Sequence, residues 1–217
     1  MHGIAIFVKT PGLSPIKTRL AAHVGIERAL EIYRASIDCV RASVDLACSR
    51  VELSAYWAVA EPEGMAHWYG WPCLLQPDGD LGARMAGIHA QLRARHHGAL
   101  LLGADVPGLS AALIEDACHA LANEAARVIA PATDGGFVLF GANADLDADP
   151  WSEPAYGVPG TAEQFLALIG THLPVQRLKT QQDLDTQADL RQLAKHPPEA
   201  LSAQQSDFWG RIPAWSR

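Results

Sequence analysis

Three cations, Lys9, Lys17 and Arg19, fall in the segment VKTPGLSPIKTRLA, which follows directly on the apolar run GIAIFV; Thr18 stands between the last two. Cations gathered in one loop are a means of holding phosphate, lysine as a point charge and arginine as a two-pronged donor. A helix starting near Lys17 would aim free backbone N–H groups at the same anion. Without an anion, cations at that place oppose the helix dipole. The pair Lys17-Thr18 is also how a Walker loop ends, but Pro11 and Ile16 stand where that loop needs glycines. Proline has no N–H to donate and isoleucine blocks a close backbone approach, so the segment is not a Walker loop.

The carboxylates fall at three stations. Asp105 ends the apolar run ALLLGAD and precedes VPGL, a placement suited to holding a divalent cation at the top edge of a sheet. Ser110 is the better cap for the helix that follows. Asp134 precedes Gly135-Gly136, which either lets backbone approach a ligand or makes an ordinary tight turn. In DLDTQADL, Asp183 or Asp185 could reach a metal at Asp105, but taken alone these residues favour Asp185 or Thr186 as a cap of the last helix. Asp78 and Asp80 in QPDGDLGARM resemble caps, with Arg84 one turn behind Asp80.

The elements that must position these groups alternate. GIAIFV, VELSAYWAV, CLLQ, GALLLGAD and the two halves of RVIAPATDGGFVLFG have the continuous apolar or β-branched character of buried strands, and VQRL is a short further one. Between the first two, Ile26, Leu30, Tyr33, Ile37, Val40 and Val44 make one apolar stripe at helical spacing. Met65, Trp68 and Tyr69 predict a short helix within 61–72, Met85, Ile88 and Leu92 a longer one, Leu113, Ala117 and Leu121 another, and 161–169 one more. This alternation predicts an α/β domain, a three-layer α/β/α sandwich with a mainly parallel sheet. In such sheets ligands bind beyond the carboxyl ends of the strands, where the first loop and Asp105 both fall.

With 217 residues, the chain is read as one domain, residues 1–196, and a tail, 197–217, whose Trp209 and Trp215 pack on the domain or on a partner subunit, as in a homodimer. The net charge of -7 argues against nucleic acid as a partner, because duplex binding needs a basic surface. No run approaches the ~20 apolar residues that span a membrane, and no signal peptide is evident, so a cytoplasmic protein is expected. Cys39, Cys48, Cys73 and Cys118 have no metal-ligand spacing and read as reduced thiols.

Taken in order, FVKTPGLSPIKTRLA, QPDGDLGARM, LLGADVPGL, APATDGGFVLFG and DLDTQADL resemble the bacterial radical-SAM/selenodomain-associated transferases. That family belongs to the nucleotide-diphospho-sugar transferase (GT-A) superfamily, with phospholactate guanylyltransferase and the molybdenum-cofactor nucleotidyltransferases as wider relations. The resemblance runs from Ile4 to Gln192 and leaves out the tail. It implies that Lys17 and Arg19 contact nucleotide phosphates, and that Asp105, with Asp185 as second carboxylate, holds Mg²⁺ or Mn²⁺. It extends the nucleotide-binding set to Lys9, Pro11, Gly12, Thr18, Asp80, Gly82, Arg84, Gly135 and Gly136. The chain lacks the GGxSxR loop of some relations, so the base recognised does not carry over.

The implied activity is metal-dependent nucleotidyl transfer from a nucleoside triphosphate to a small phosphorylated or hydroxyl acceptor. Lys17, Arg19 and Asp105 are its catalytic candidates. One alternative is glycosyl transfer from a nucleotide sugar, with Asp134 as base and Trp151 as a sugar platform or simply a core residue. Another is a nucleotide-binding domain without turnover.

Overall fold

The computed structural model describes residues 1–122 and 124–216; Asn123 and the tail's last residue, Arg217, lie outside it. Seven strands form one sheet: β1 (His2–Val8), β2 (Leu53–Val59), β3 (Cys73–Leu75), β4 (Gly98–Gly103), β5 (Arg127–Pro131), β6 (Phe137–Ala142) and β7 (Val175–Arg177). Their order is β3-β2-β1-β4-β6-β5-β7. β1 lies parallel between β2 and β4, with Ile6 opposite Trp57 and Leu102. Only β6 runs against its neighbours, because the ATDGG turn returns it directly beside β5. The chain moves outward from β1 to β2 and β3, then returns to place β4 on the other side of β1. The carboxyl ends of β1 and β4 therefore flank a switch point, where an open sheet leaves a crevice.

Helices cover both faces. On one, Tyr33, Ile37, Val40 and Val44 of α2 (Ile26–Cys48) and Leu113, Ile114 and Ala117 of α4 (Ala111–Ala120) pack on Ile4, Ile6, Leu100 and Leu102. On the other, Met85, Ile88 and Leu92 of α3 (Leu81–Arg93) and Phe165 of α5 (Thr161–Leu168) pack on Ala5, Leu101, Ile129 and Phe140. Trp151 is buried in this second cluster, in edge-to-face contact with Phe140 and Phe165, so it is a core residue.

Two expectations are corrected, and a third is narrowed to one of its alternatives. The first is the single stripe on α2. Ile26 is exposed, and a second face, Ala29, Ile32, Ala35 and Cys39, is buried under α1 (Thr18–Val24), α6 (Gln187–Lys195) and α7 (Ala203–Trp215). These residues recur at spacings of three and four, so they form a second helical face beside the first, weaker in apolar signal because only Ile32 is large.

The tail packs on the domain, one of the two places expected for it. Residues 203–215 form a helix whose Phe208, Ile212 and Trp215 are buried within the chain, and the Trp209 indole donates to Leu193 O. Trp215 is therefore engaged within the chain. The second correction concerns the short helix within 61–72, which is a 3₁₀ helix over Pro62–His67 that leaves out Trp68 and Tyr69. Trp68 leaves it in extended conformation, stacks against Trp57 and donates to Thr10 Oγ1, while Tyr69 lies exposed.

Among the described residues no helix is long and apolar enough to cross a membrane. The four cysteines are free, and burial pushes the Cys39 and Cys118 thiols up to about 12, so they pack as apolar residues.

Candidate active site at the sheet switch point

A cleft of about 700 Å³ opens at the carboxyl ends of β1 and β4. The first loop forms one wall. Its start is tied down by reciprocal bonds between the Lys9 backbone and the Tyr33 hydroxyl, at 3.0 and 3.1 Å. Thr10, fully buried, donates its N–H to Glu61 at 2.8 Å. The loop's far end is held by Leu20, buried between α2, α6 and α7. The Thr10–Glu61–Trp68 anchor was not foreseen. Its only sequence signal is a threonine and a glutamate fifty-one residues apart.

Lys17 precedes α1 with φ 46° and ψ 46°. Among the described residues it is the only non-glycine with positive φ. A left-handed backbone costs a side-chain-bearing residue roughly 1–2 kcal/mol, and such strain gathers at functional sites. Its ammonium donates to Asp105 Oδ2 at 2.7 Å and to Asp185 Oδ1 at 2.6 Å. Burial opposes the charge, but the Asp105 and then Asp185 carboxylates outweigh it and hold the ammonium above the ordinary lysine range. α1 has only seven residues, so the side-chain cations, more than a helix dipole, give this wall its charge.

Asp105 and Asp185 meet although eighty residues separate them. The Leu184 N–H donates to Asp105 O at 3.0 Å, and the buried Leu184 side chain locks the acidic loop against α1 and α6. Thr186, not Asp185, caps α6 in a reciprocal box with Asp189, leaving the Asp185 carboxylate free to face the cleft. The loop that carries Asp105 is pinned from behind. Ser36 donates to Ala104 O, Ser43 to Leu109 O, and the Gln205 amide to both Pro107 O and Leu109 O.

Asp183 lies close by, half-buried. Desolvation first, then the Asp134 and Asp105 carboxylates, push it up to about 7. Asp183 thus feels both neighbouring carboxylates, while Lys17 is paired with Asp105 and Asp185.

Of the residues singled out from the sequence, Lys9, Lys17, Thr18, Arg19, Asp80, Arg84, Asp105 and Asp185 line the cleft. Asp80 caps α3 by accepting from Ala83 N; this bond and one from Ser152 hold its carboxyl below the usual range. Arg84 is oriented by donating to Gly79 O at 3.0 Å.

Pro11, Gly12, Gly82, Asp134, Gly135 and Gly136 are not among the lining residues. For two of them the structure supplies a packing reason instead. A Cβ on Gly82 would lie 2.0 Å from Trp151 O, and one on Gly135 would lie 2.7 Å from Gly160 N. Asp134 accepts from Gly136 N at 2.8 Å, closing the β5–β6 turn. Gln76, not picked out beforehand, forms part of the cleft floor with its amide N–H group on Ala58 O at 2.8 Å. A lone glutamine after a strand carries no pattern in the sequence.

Two carboxylates converging on one ammonium is a fit for a divalent cation. Among the described residues no three His, Cys, Asp or Glu side chains are arranged to hold a metal unaided. A Mg²⁺-type ion bound by one or two carboxylates, with its remaining ligands from phosphate and water, matches that donor set.

The bacterial family described as "Uncharacterized protein conserved in bacteria (DUF2064)" matches residues 35–157. The chain belongs to this family. It is also 31% identical over 214 residues to the phosphoenolpyruvate guanylyltransferase of Sphaerobacter thermophilus, covering 95% of this chain and 99% of that protein. Among solved structures, a proposed nucleotide-diphospho-sugar transferase from Desulfovibrio desulfuricans G20 superposes with a TM-score of 0.83 at 23% identity, over 100% of this chain and 96% of the other. The 4-diphosphocytidyl-2C-methyl-D-erythritol synthase of Anaerococcus prevotii is more distant, with a TM-score of 0.52 at 11% identity, over 87% and 94%. The three-layer arrangement with a mainly parallel sheet is thus the nucleotide-diphospho-sugar transferase fold.

Proposed function

We propose that this chain is a nucleotidyltransferase that moves a nucleoside monophosphate from a nucleoside triphosphate to a small phosphorylated acceptor. The acceptor oxygen forms a bond to the α-phosphorus, the bond from that phosphorus to the β-bridging oxygen breaks, and pyrophosphate leaves with the electron pair. The observation that carries the reading is the convergence of Asp105 and Asp185 on one cation position at the switch point, in a cleft walled by Lys9, Lys17, Arg19 and Arg84. The 31% identical guanylyltransferase supports it and makes GTP with phosphoenolpyruvate the first pair to test.

Little covalent chemistry falls to the protein; positioning and charge neutralisation carry such a reaction. Asp105 and Asp185 would hold Mg²⁺ or Mn²⁺, which when bound supplies charge neutralisation at the phosphates. Arg19, with a planar fork of donors, suits two phosphate oxygens at once, and Lys17 suits the departing pyrophosphate. The Gln205, Ser36 and Ser43 bonds keep the Asp105 loop from relaxing.

Thermal shift with a panel of nucleoside triphosphates and nucleotide sugars, each with Mg²⁺ or with chelator, tests the reading. A ligand at about one hundred times its Kd adds ~2.7 kcal/mol, roughly 5–10 °C for a chain of this size. The reading expects a metal-dependent shift with one triphosphate. A shift only with a nucleotide sugar would replace it by glycosyl transfer.

A further inference from the structure

We infer that Lys17 is the resident counter-cation of the metal position: its ammonium fills the place where Asp105 and Asp185 converge, and moves onto the triphosphate when a divalent ion takes that place. The inference rests on the proposed reading of those two carboxylates as the metal pair.

The geometry points this way. Asp105 Oδ2 and Asp185 Oδ1 approach one nitrogen at 2.7 and 2.6 Å, the span of strong charged hydrogen bonds. A metal on the same two oxygens would sit at about 2.0–2.1 Å from each. The ammonium and the ion would then share one site, so they must exclude each other. The Lys17 side chain is only 9% exposed, so it is committed to this place rather than sampling solvent.

Its anchoring permits an exchange. The backbone on either side is tied down by Thr10, Tyr33 and Leu20, which keeps the left-handed Lys17 at the cleft wall. The four-carbon stem has rotatable bonds and borders the cleft, so an ammonium turned out of the pair would stay among Thr18, Arg19 and Arg84, which line the same cleft. A triphosphate there gives it a new anion.

The exchange has a consequence for binding order. In the free protein a divalent ion must displace a paired lysine, so metal alone binds weakly. Triphosphate rehouses the lysine, so each ligand raises the affinity for the other by the same factor. Lys17 also keeps the two carboxylates from facing each other uncompensated before substrate arrives.

The test reads metal binding without nucleotide. Mn²⁺ is titrated against the nucleotide-free protein, with free Mn²⁺ followed by electron paramagnetic resonance. Lys17→Met removes the charge and keeps the stem, and Lys17→Gly removes the side chain while suiting the left-handed backbone. Both are expected to bind Mn²⁺ at least about tenfold more tightly than the wild type. Adding Asp105→Asn to Lys17→Met should abolish that gain. If neither Lys17 variant gains affinity while Asp105→Asn still weakens Mn²⁺ binding, the exchange is overturned and the metal reading survives. If Asp105→Asn leaves Mn²⁺ binding unchanged in the Lys17→Met protein, the metal reading fails too. A measurement on the wild type needs no variant to fold: the ¹⁵N resonance of the Lys17 ammonium should shift as Mg²⁺ binding saturates. An unmoved resonance at saturation overturns the exchange.

Discussion

Gln205 offers a quantitative check on how the last helix supports the site. It is 4% exposed, and its amide donates to Pro107 O and to Leu109 O, both at 3.0 Å, across ninety-six or more residues of sequence. Its carbonyl accepts from Ser202 N at 3.0 Å in the cap of α7. Gln205→Ala removes all three bonds. The Leu109 carbonyl keeps Ser43, so its loss is small, roughly 0.5–1 kcal/mol. Pro107 O loses its side-chain donor in a buried place, which costs about 1–3 kcal/mol. The cap bond adds roughly 0.5–1 kcal/mol. The sum is about 2–5 kcal/mol, measured as the change in urea-unfolding free energy at pH 7. The Asp105 loop should loosen as well, so turnover of the folded variant should fall several-fold while the transition remains cooperative. A loss below about 0.5 kcal/mol would refute the claim that α7 buttresses the loop.

Other expectations follow from the same geometry. Asp105→Asn should lower turnover at least ~100-fold with Tm retained, as loss of a central electrostatic group does; steady-state rates with a melting curve decide it. Arg19→Ala should raise the Kd for triphosphate about tenfold or more, in the range for losing a charged hydrogen bond, and calorimetry that finds no change would remove Arg19 from the phosphate site. Burial, then Arg93, lowers the pKa of His89 to about 4 from 6.5. A group depressed in this way contributes stability that is present above pH 6.5 and lost as pH falls toward 4. Between pH 7 and pH 4.5 the wild type should therefore lose roughly 2–3 kcal/mol more than His89→Gln; equal losses would mean that His89 is not the group responsible.

The fold was legible because its strands are continuous apolar runs and most of its helices carry one clear stripe. What escaped were features built from distant pieces. The inner face of α2 against α7 is made of Ala29, Ile32, Ala35 and Cys39, at helical spacing but with only one large apolar side chain, so it stands out less than the face with Tyr33, Ile37, Val40 and Val44, and the tail reads as an appendage. In the site, Asp105 was legible from its place at a strand end. Asp185 and Asp183 were separable only in three dimensions, where Leu184 fixes which way each faces. The direct pairing of Lys17 with both carboxylates had no local signal, since the partners lie 88 and 168 residues away.

The most direct test of the central claim is pyrophosphate release by the purified chain given GTP, phosphoenolpyruvate and Mg²⁺, with each other nucleoside triphosphate in parallel and Asp105→Asn alongside. The account predicts stoichiometric pyrophosphate and a nucleotidylated acceptor with one triphosphate, dependent on both the metal and Asp105. Release that is indifferent to Asp105, or the absence of pyrophosphate alongside transfer of sugar from a nucleotide sugar, would contradict it.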